Sequence, residues 1–437
     1  MERLGISIII ITFESYEIAV PLDCLLLQLR SEDEVIIVDD HSSFRVKEML
    51  ERYAKHDSIT LYESINPGNR PANRNQGAQA AKNQTLLFID GDVVLDEHAI
   101  DAFRKAHNER SEVAFIGQIH GGHFDEPALN LYLGDSEYIK MVSTPEGRKK
   151  LLNNPLLQDR RKSFLEEKRN YDYLWAIYYS TYCSVERSLF DEVNGFDENC
   201  SVWGGEDVDL GYKISRKGKI GYLSEVHGFH IPHPRNVLAN DRTNSNNFKM
   251  LYRKHHVWEF EILATYRITP MLLQTFGSIK NRMAMLSLKD IPKQQLMRDS
   301  IAINPVSKRY PEGHITLFDK EGNISEMCGL GIQMEFADNS IYTAYINDSV
   351  FIYPHAVAAR ILQEACRIST ETFIVQTGES TRLDWSDLPP LKNLKPLNRI
   401  EYLSCDIMEY RYTKKSDSMI KVEKLFCGIK TYEGNLF

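Results

Sequence analysis

The feature that most constrains the fold of this 437-residue chain is a set of apolar segments that do not alternate with polar residues. ISIIIITF (6–13), EVIIVDD (34–40), ITLYES (59–64) and TLLFIDGD (85–92) read as strands. A strand with one face in water alternates, whereas a strand covered on both faces does not. Between them, AVPLDCLLLQLR (19–30), FRVKEMLERYAK (44–55) and PANRNQGAQAA (71–81) carry helical spacing. Strand and helix in strict succession predict an α/β domain, its mainly parallel sheet flanked by helices. Such sheets take ligands outside the carboxyl ends of their strands. Here those ends hold Thr12–Glu14, Asp39–Asp40 and Asp90–Asp92.

Composition removes several alternatives. Hydrophobic residues make up 43% of the chain, enough for a packed core. A net charge of −9 argues against nucleic acid as a partner. The run ISIIII is too short to span a membrane and is followed by no cleavage-like site, which leaves only peripheral membrane contact open. Seven widely spaced cysteines without a C-x-x-C pair point to reduced thiols and a cytoplasmic protein. The charged stretch 145–172 reads as a solvated helix or loop, with a mobile basic flap near a phosphate-bearing ligand as the alternative. Residues 244–268 read as one long helix, and SVFIYP, HAVAARILQEACRIS and ETFIVQ as strand, helix and strand. The expected organisation is a catalytic domain over 1–285, a linker over 286–302 and a smaller α/β or α+β accessory domain over 303–437.

Three stretches carry chemistry. FIDGD ends a buried strand in Asp90 and Asp92, and a bend at Gly91 aims both carboxylates at one hard cation, Mg²⁺ or Mn²⁺, or simply makes a turn. The carboxylate of Asp40 can accept from the ring N–H of a uracil. Arg70 and Arg74 can meet base or phosphate, and Asn75 and Gly77 permit close backbone approach. The second stretch, SVWGGEDVDL (201–210), clusters Glu206, Asp207 and Asp209 after two glycines, either as a site or as the acidic start of a helix. The third, EVHGFHIPHPR (225–235), spaces His227, His230 and His233 by three.

Taken in order, ISIIIITFES, EVIIVDDHSS and ANRNQGAQAAKNQTLLFIDGD resemble the nucleotide-binding half of GT-A fold glycosyltransferases of the family 2 type. The segment 178–233, with N-G-F-D-E (Asn194–Glu198) and W-G-G-E-D (Trp203–Asp207), resembles the acceptor side of inverting enzymes, including β-1,4-galactosyltransferases and chondroitin-polymerase domains. The matched segments cover about residues 5–260. The resemblance implies a UDP-sugar donor, with Thr12, Phe13, Glu14 and Gly91 lining its pocket. It puts Asp40 on uracil, Arg74 at the base or phosphate, Asp90 at ribose or metal, and Asp92 directly on the metal. It also implies His230 as a further metal ligand, with His233 and His227 as runners-up, and an imidazole tilts the ion toward Mn²⁺ over Mg²⁺. Asp207 would be the catalytic base and Glu206 would hold acceptor hydroxyls. Trp203 would stack on a sugar, and Gly204 and Gly205 would admit donor and acceptor closely. The helix N-terminus would keep Asp207 ionised, and Asp209 would be no more than a cap. His255 and His256 are expected to have structural or surface roles rather than catalytic ones. Two departures stand out: Cys183 where relatives often carry Asn, and Ile11 where a proline is usual.

The expected reaction is metal-dependent, inverting transfer of a hexose or N-acetylhexosamine from UDP. The acceptor would be a hydroxyl of a polysaccharide, glycolipid, small molecule or peptide. A nucleotidyltransferase is disfavoured because ITFESYE lacks a glycine-rich, lysine-bearing loop. The remaining alternative is a catalytically silent sugar-nucleotide-binding or scaffold protein.

Overall fold

The structure is a computed structural model describing residues 5–121, 135–166, 168–200, 202–231, 233, 237–264, 273, 276–277, 279–280, 291, 293, 296–305, 313–332, 334–347, 349–350, 353, 355–375, 405–416 and 419–430. The chain divides into two compact units, Met1–Asn247 with Ile268–Leu273, and Phe248–Arg267 with Gln274–Phe437. Of the expected 286–302 linker, residues 291, 293 and 296–302 are described, and the second compact unit already begins at Phe248.

In the first unit, β1 (Ile6–Thr12), β2 (Glu34–Asp39), β3 (Ile59–Glu63) and β4 (Thr85–Asp90) alternate with α1 (Ala19–Leu26), α2 (Phe44–Tyr53) and α3 (Arg70–Ala80). The four strands are parallel, in the order β3-β2-β1-β4. Ile8, Ile10, Val35, Ile37, Leu87 and Ile89 are all essentially buried, as uninterrupted apolar strands require. Gly77 lets α3 lie directly on β1, since a Cβ there would sit 2.5 Å from Ile9 Cγ2.

The expected strand 85–92 breaks after Asp90, and β5 (Val93–Leu95) leaves to pair elsewhere. The sheet continues β4-β7-β6-β8-β5 through β6 (Ala114–His120), β7 (Tyr182–Glu186) and β8 (Ile220–His230), with β7 antiparallel to both its neighbours. The parallel half therefore gives way to a mixed half.

The charged stretch 145–172 is not simply solvated. Arg148, Asp159 and Arg161 are each under 10% exposed. Arg161 donates to both Asp159 oxygens and to the carbonyls of Gly117 and Ile177. Asp159 in turn accepts from Ile119 N–H. A buried pair with every polar atom engaged supports β6 from one side.

The second unit has a seven-stranded sheet in the order β11-β10-β9-β12-β13-β15-β14. Its strands are β9 (Ser300–Asn304), β10 (His314–Phe318), β11 (Ile324–Cys328), β12 (Ile341–Asn347), β13 (Ser369–Val375), β14 (Cys405–Ser416) and β15 (Met419–Lys430). The helix His355–Ile368 joins β12 to the parallel strand β13, as expected of the helix and the second strand. The first strand of that trio is IYTAYIN, not SVFIYP, of which residues 351, 352 and 354 lie outside the described residues. Burial of Thr343 and Asn347 in β12 hid it from a search for apolar runs. The expected helix 244–268 is two helices, Val237–His255 and Trp258–Leu263, broken where His256 takes φ 53°; residues 265–268 lie outside the described residues. Among the described residues no helix is long and apolar enough to cross a membrane.

Candidate active site

The carboxyl ends of β1 and β2 are joined by hydrogen bonds. Asp40 N–H donates to Thr12 O at 2.8 Å. Glu14 sits at φ 49°, and its carboxylate accepts from the Ser43 N–H (2.6 Å) and hydroxyl (2.9 Å) at the start of α2. The Ser43 hydroxyl holds the Glu14 carboxyl below the usual carboxylate range. Asp40 accepts from Gly68 N–H at 3.0 Å, which fixes the β3–α3 loop beside it. Phe13 is 64% exposed, whereas Thr12 is buried and its hydroxyl oxygen has no hydrogen-bond partner among the described residues. Gly91 packs under them: an added Cβ would lie 3.3 Å from Ile11 O and 3.4 Å from Thr12 Cβ. Thr12, Phe13, Glu14, Asp40 and Gly91 are thus collected at one edge of the sheet. Arg70 is exposed at the first turn of α3.

Arg74 occupies a different position from the one its sequence context suggests. It is buried, and it donates to Asp90 Oδ1 at 2.9 Å and to Glu206 Oε1 at 3.2 Å. Its guanidinium also lies 5.6 Å from the ring centroid of Phe196. Burial works against the Arg74 charge, but Asp90 and Glu206 outweigh it and its pKa is raised. The second Asp90 oxygen accepts from Thr181 Oγ1 at 3.0 Å. One arginine therefore links an acid from the end of β4 to an acid more than a hundred residues later.

The later acid belongs to the helix Glu206–Ser215. Gly204 (φ 89°) and Gly205 (φ 90°) make the left-handed entry that an L-residue resists. Asp209 N–H donates to Gly205 O at 2.8 Å to close the first turn. Glu206 is buried, and its Oε2 has no hydrogen-bond partner among the described residues. Asp207 retains some exposure, and desolvation together with the neighbouring Glu206 charge pushes its pKa up to about 7, with Arg74 pulling the other way. The helix N-terminus therefore does not suffice to keep Asp207 fully ionised near neutrality. Asp209 is more than a cap: it is fully buried and pairs with Lys213 at 2.9 Å, while Lys213 also donates to Gly195 O at 2.6 Å.

The N-G-F-D-E segment is clasped from the other side. Asn75 donates to Phe196 O and to Glu198 Oε1, and accepts from Phe196 N–H, each at 2.9 Å. Asn194 and Gly195 take φ 58° and 53°, and an added Cβ on Gly195 would lie 2.7 Å from Asn75 Oδ1. Asn75 is thus a structural clasp. Cys183 is buried on β7, beside Phe88 of β4, and burial pushes its thiol well up.

The β5–β8 register builds a third group. Val93 is opposite His230, and Ile231 N–H donates to Asp92 O at 2.8 Å. Asp92 Oδ2 lies 3.1 Å from His233 Nε2 and 3.6 Å from His230 Nε2. One donor atom from each of Asp92, His230 and His233 falls within a 4.8 Å span, a set that could hold a metal ion. His230 is buried and His233 is 40% exposed at its side chain, so the group opens on one side. Asp90 is not in the group, because Arg74 and Thr181 take its oxygens. His227 is not in it either: its Nδ1 lies 3.0 Å from His120 Nε2, and burial lowers the pKa of both.

The structure groups Asp92 and His230 with His233, which sequence reasoning ranks behind His230, and sets Glu206 and Asp207 together at a helix start; Thr181 and Lys213, which contact Asp90 and Asp209, are not singled out in the sequence. Lys213 was readable, standing four residues after Asp209 on one helix face. Thr181 had no signal, because only the antiparallel pairing of β7 brings it to β4. Trp203 is partly exposed beside the glycines.

Residues 7–193 match the model described as glycosyl transferase family 2, and residues 160–233 the model described as N-terminal domain of galactosyltransferase. Validoxylamine A glucosyltransferase of Streptomyces hygroscopicus subsp. jinggangensis is 26% identical over 231 residues, 51% of this chain and 53% of that protein. Chondroitin synthase of Pasteurella multocida is 24% identical over 230 residues, 50% of this chain and 23% of that protein. This chain therefore spans about half the length of the first relative and about a quarter of the second. Among solved structures, S. aureus TarS 1-349 is similar with a TM-score of 0.43 and 14% identity, over 63% of this chain and 70% of that chain. The first unit has the mixed α/β fold of the GT-A type, and the chain carries a second, smaller sheet unit.

Proposed function

Residues 7–193 are a glycosyl transferase family 2 domain, and from that premise we propose that this chain is a metal-dependent, inverting glycosyltransferase that uses a UDP-sugar. The observation that carries the reading is the separation of two acid sites. Asp92, His230 and His233 form an oxygen-and-imidazole set open on one side, while Glu206 and Asp207 stand apart from it at a helix start. Inverting transfer needs that division. Charge on the departing diphosphate must be met on one side, and the acceptor's proton must be removed on the other.

The donor set fits a borderline divalent ion such as Mn²⁺ better than Mg²⁺, because two of its three atoms are imidazole nitrogens. When bound, such an ion supplies Lewis-acid stabilisation of the leaving diphosphate. The rest is the work of the chain itself. Asp40, at the carboxyl end of β2, accepts from the uracil ring N–H. The buried Thr12 hydroxyl and the exposed Phe13 face the nucleoside, with Glu14 holding their loop to α2. Glu206 Oε2, which has no hydrogen-bond partner among the described residues, accepts a substrate hydroxyl. Asp207 takes the acceptor proton at its carboxylate, and Trp203 packs on a sugar ring. Arg74 does not reach for phosphate in this reading. It keeps Asp90 and Glu206 in place and holds down the pKa of Asp207.

The sugar is a hexose or N-acetylhexosamine. Glucosyl transfer, in the name of one relative, and chondroitin synthesis, in that of another, are the first cases to try. A cytoplasmic location agrees with the free thiols of Cys24, Cys183, Cys200, Cys328 and Cys366. The testing experiment is a screen of UDP-glucose, UDP-galactose and their N-acetyl forms for Mn²⁺-dependent release of UDP. Release from at least one is expected. Release from none, under conditions where UDP binds, would favour a silent binding protein.

A further inference from the structure

We propose that Asn247 is a positioning residue for the acceptor side, holding the backbone of the W-G-G turn so that Glu206 and Asp207 start their helix in place. The inference rests on the reading of that helix start as the acceptor side. Asn247 lies on the helix Val237–His255, far along the chain from the turn it reaches. Its side chain is 7% exposed, and its amide donates to two successive carbonyls, Trp203 O at 3.3 Å and Gly204 O at 2.7 Å. One turn earlier on the same helix face, Asn244 packs on the turn: a Cβ added to Gly204 would lie 2.3 Å from Asn244 Oδ1.

The turn needs such a hold. Val202, Gly204 and Gly205 take φ 67°, 89° and 90°. Glycine accepts that region freely, but a β-branched residue there is strained. Val202 is also 57% exposed, so its own packing contributes little restraint. A strained conformation persists only where its surroundings over-determine it, and the Asn247 amide supplies part of that restraint. Glu206 and Asp207 follow Gly205 directly, so a turn that relaxes carries both acids with it. Small displacements of catalytic groups are costly: a shift near 1 Å can lower a rate roughly 100-fold.

The test uses Asn247→Asp, which keeps the side-chain shape but removes the donor. Acrylamide quenching of tryptophan fluorescence is compared in wild type, N247D, W203F and the N247D/W203F double variant. N247D is expected to increase quenching, and the increase is expected to vanish in the W203F background. Unchanged quenching in N247D, or an increase that survives without Trp203, would overturn the inference. In parallel, N247D is expected to hydrolyse the best of the four screened UDP-sugars at least about tenfold more slowly, the scale of one or two lost hydrogen bonds, with Mn²⁺-dependent UDP affinity held within about twofold. Equal losses in both would mean a general structural role and would also overturn it. If the wild type releases UDP from none of UDP-glucose, UDP-galactose and their N-acetyl forms, the enzymatic reading fails, and the fluorescence comparison still decides the role of Asn247.

Discussion

Replacing Asp207 by asparagine is expected to lower transfer about 100- to 10,000-fold, the range a positioned general base contributes, while leaving UDP binding intact. Asparagine keeps the shape and the partial burial of the site but cannot take a proton. The same carboxyl sets the pH dependence. The groups around it are Glu206 on its own helix, Arg74 on α3, Asp90 at the end of β4, and Tyr179 and Cys183 near β7. Desolvation and Glu206 raise its pKa to about 7 against the pull of Arg74. A base works deprotonated, so transfer should rise with pH through that value and be lost as pH falls below it. The residual activity of D207N should lack this acid limb. Wild-type transfer that is flat through neutrality, or a variant that retains full activity, would remove Asp207 from its role.

Arg74→Met is expected to be the most destabilising single change in the site. It leaves Asp90 Oδ1 and Glu206 Oε1 without their shared cation in a largely enclosed setting. Breaking a buried pair by removing one partner costs about 3–5 kcal/mol. For a unit of this size that corresponds to a fall in Tm of roughly 6–20 °C. The triple variant R74M/D90N/E206Q should recover much of the loss, since neutral amides remove the uncompensated charge. Thermal melts of the three proteins give the answer. A melt of R74M that matches wild type would mean the bridge contributes nothing. A triple variant no better than R74M would place the loss in packing rather than charge.

Much of this architecture could be read from sequence because burial writes itself into residue order. The strands around Ile8, Ile36 and Phe88 and the helices between them lie within a few residues of their expected bounds, since both faces of the sheet are covered there, and the edge strand around Leu61 is found as well although it is half-exposed. The break after Asp90 could not be read the same way. Val93–Leu95 is as apolar as a continuing strand, and only pairing with β8 shows that it turns away. The Asp92–His230–His233 group was half legible for the same reason. Asp92 announces itself beside Gly91, but the choice among three evenly spaced histidines depends on the register that sets Val93 opposite His230.

The electrostatics were the least legible part. An arginine in ANRNQG, a threonine in STYCS and a glutamate in WGGED share no local pattern. Their meeting around Asp90 and Arg74 is a product of the whole fold. A helix N-terminus favours an ionised acid, so sequence alone predicts an Asp207 kept ionised. Burial beside a second acid reverses that prediction. Asp209 misled in the opposite direction. It stands as a surplus acid in sequence and is a fully buried partner of Lys213 in the structure.

In the proposed mechanism the metal and the base occupy separate acid sites, at Asp92 and at Asp207. Calorimetric titration of UDP into wild type, D92A and D207N, with Mn²⁺ and with EDTA, tests it most directly. D207N is expected to bind UDP with the same Mn²⁺ dependence as wild type, and D92A to bind no more tightly with Mn²⁺ than with EDTA. Mn²⁺-dependent binding that survives in D92A and disappears in D207N would contradict it.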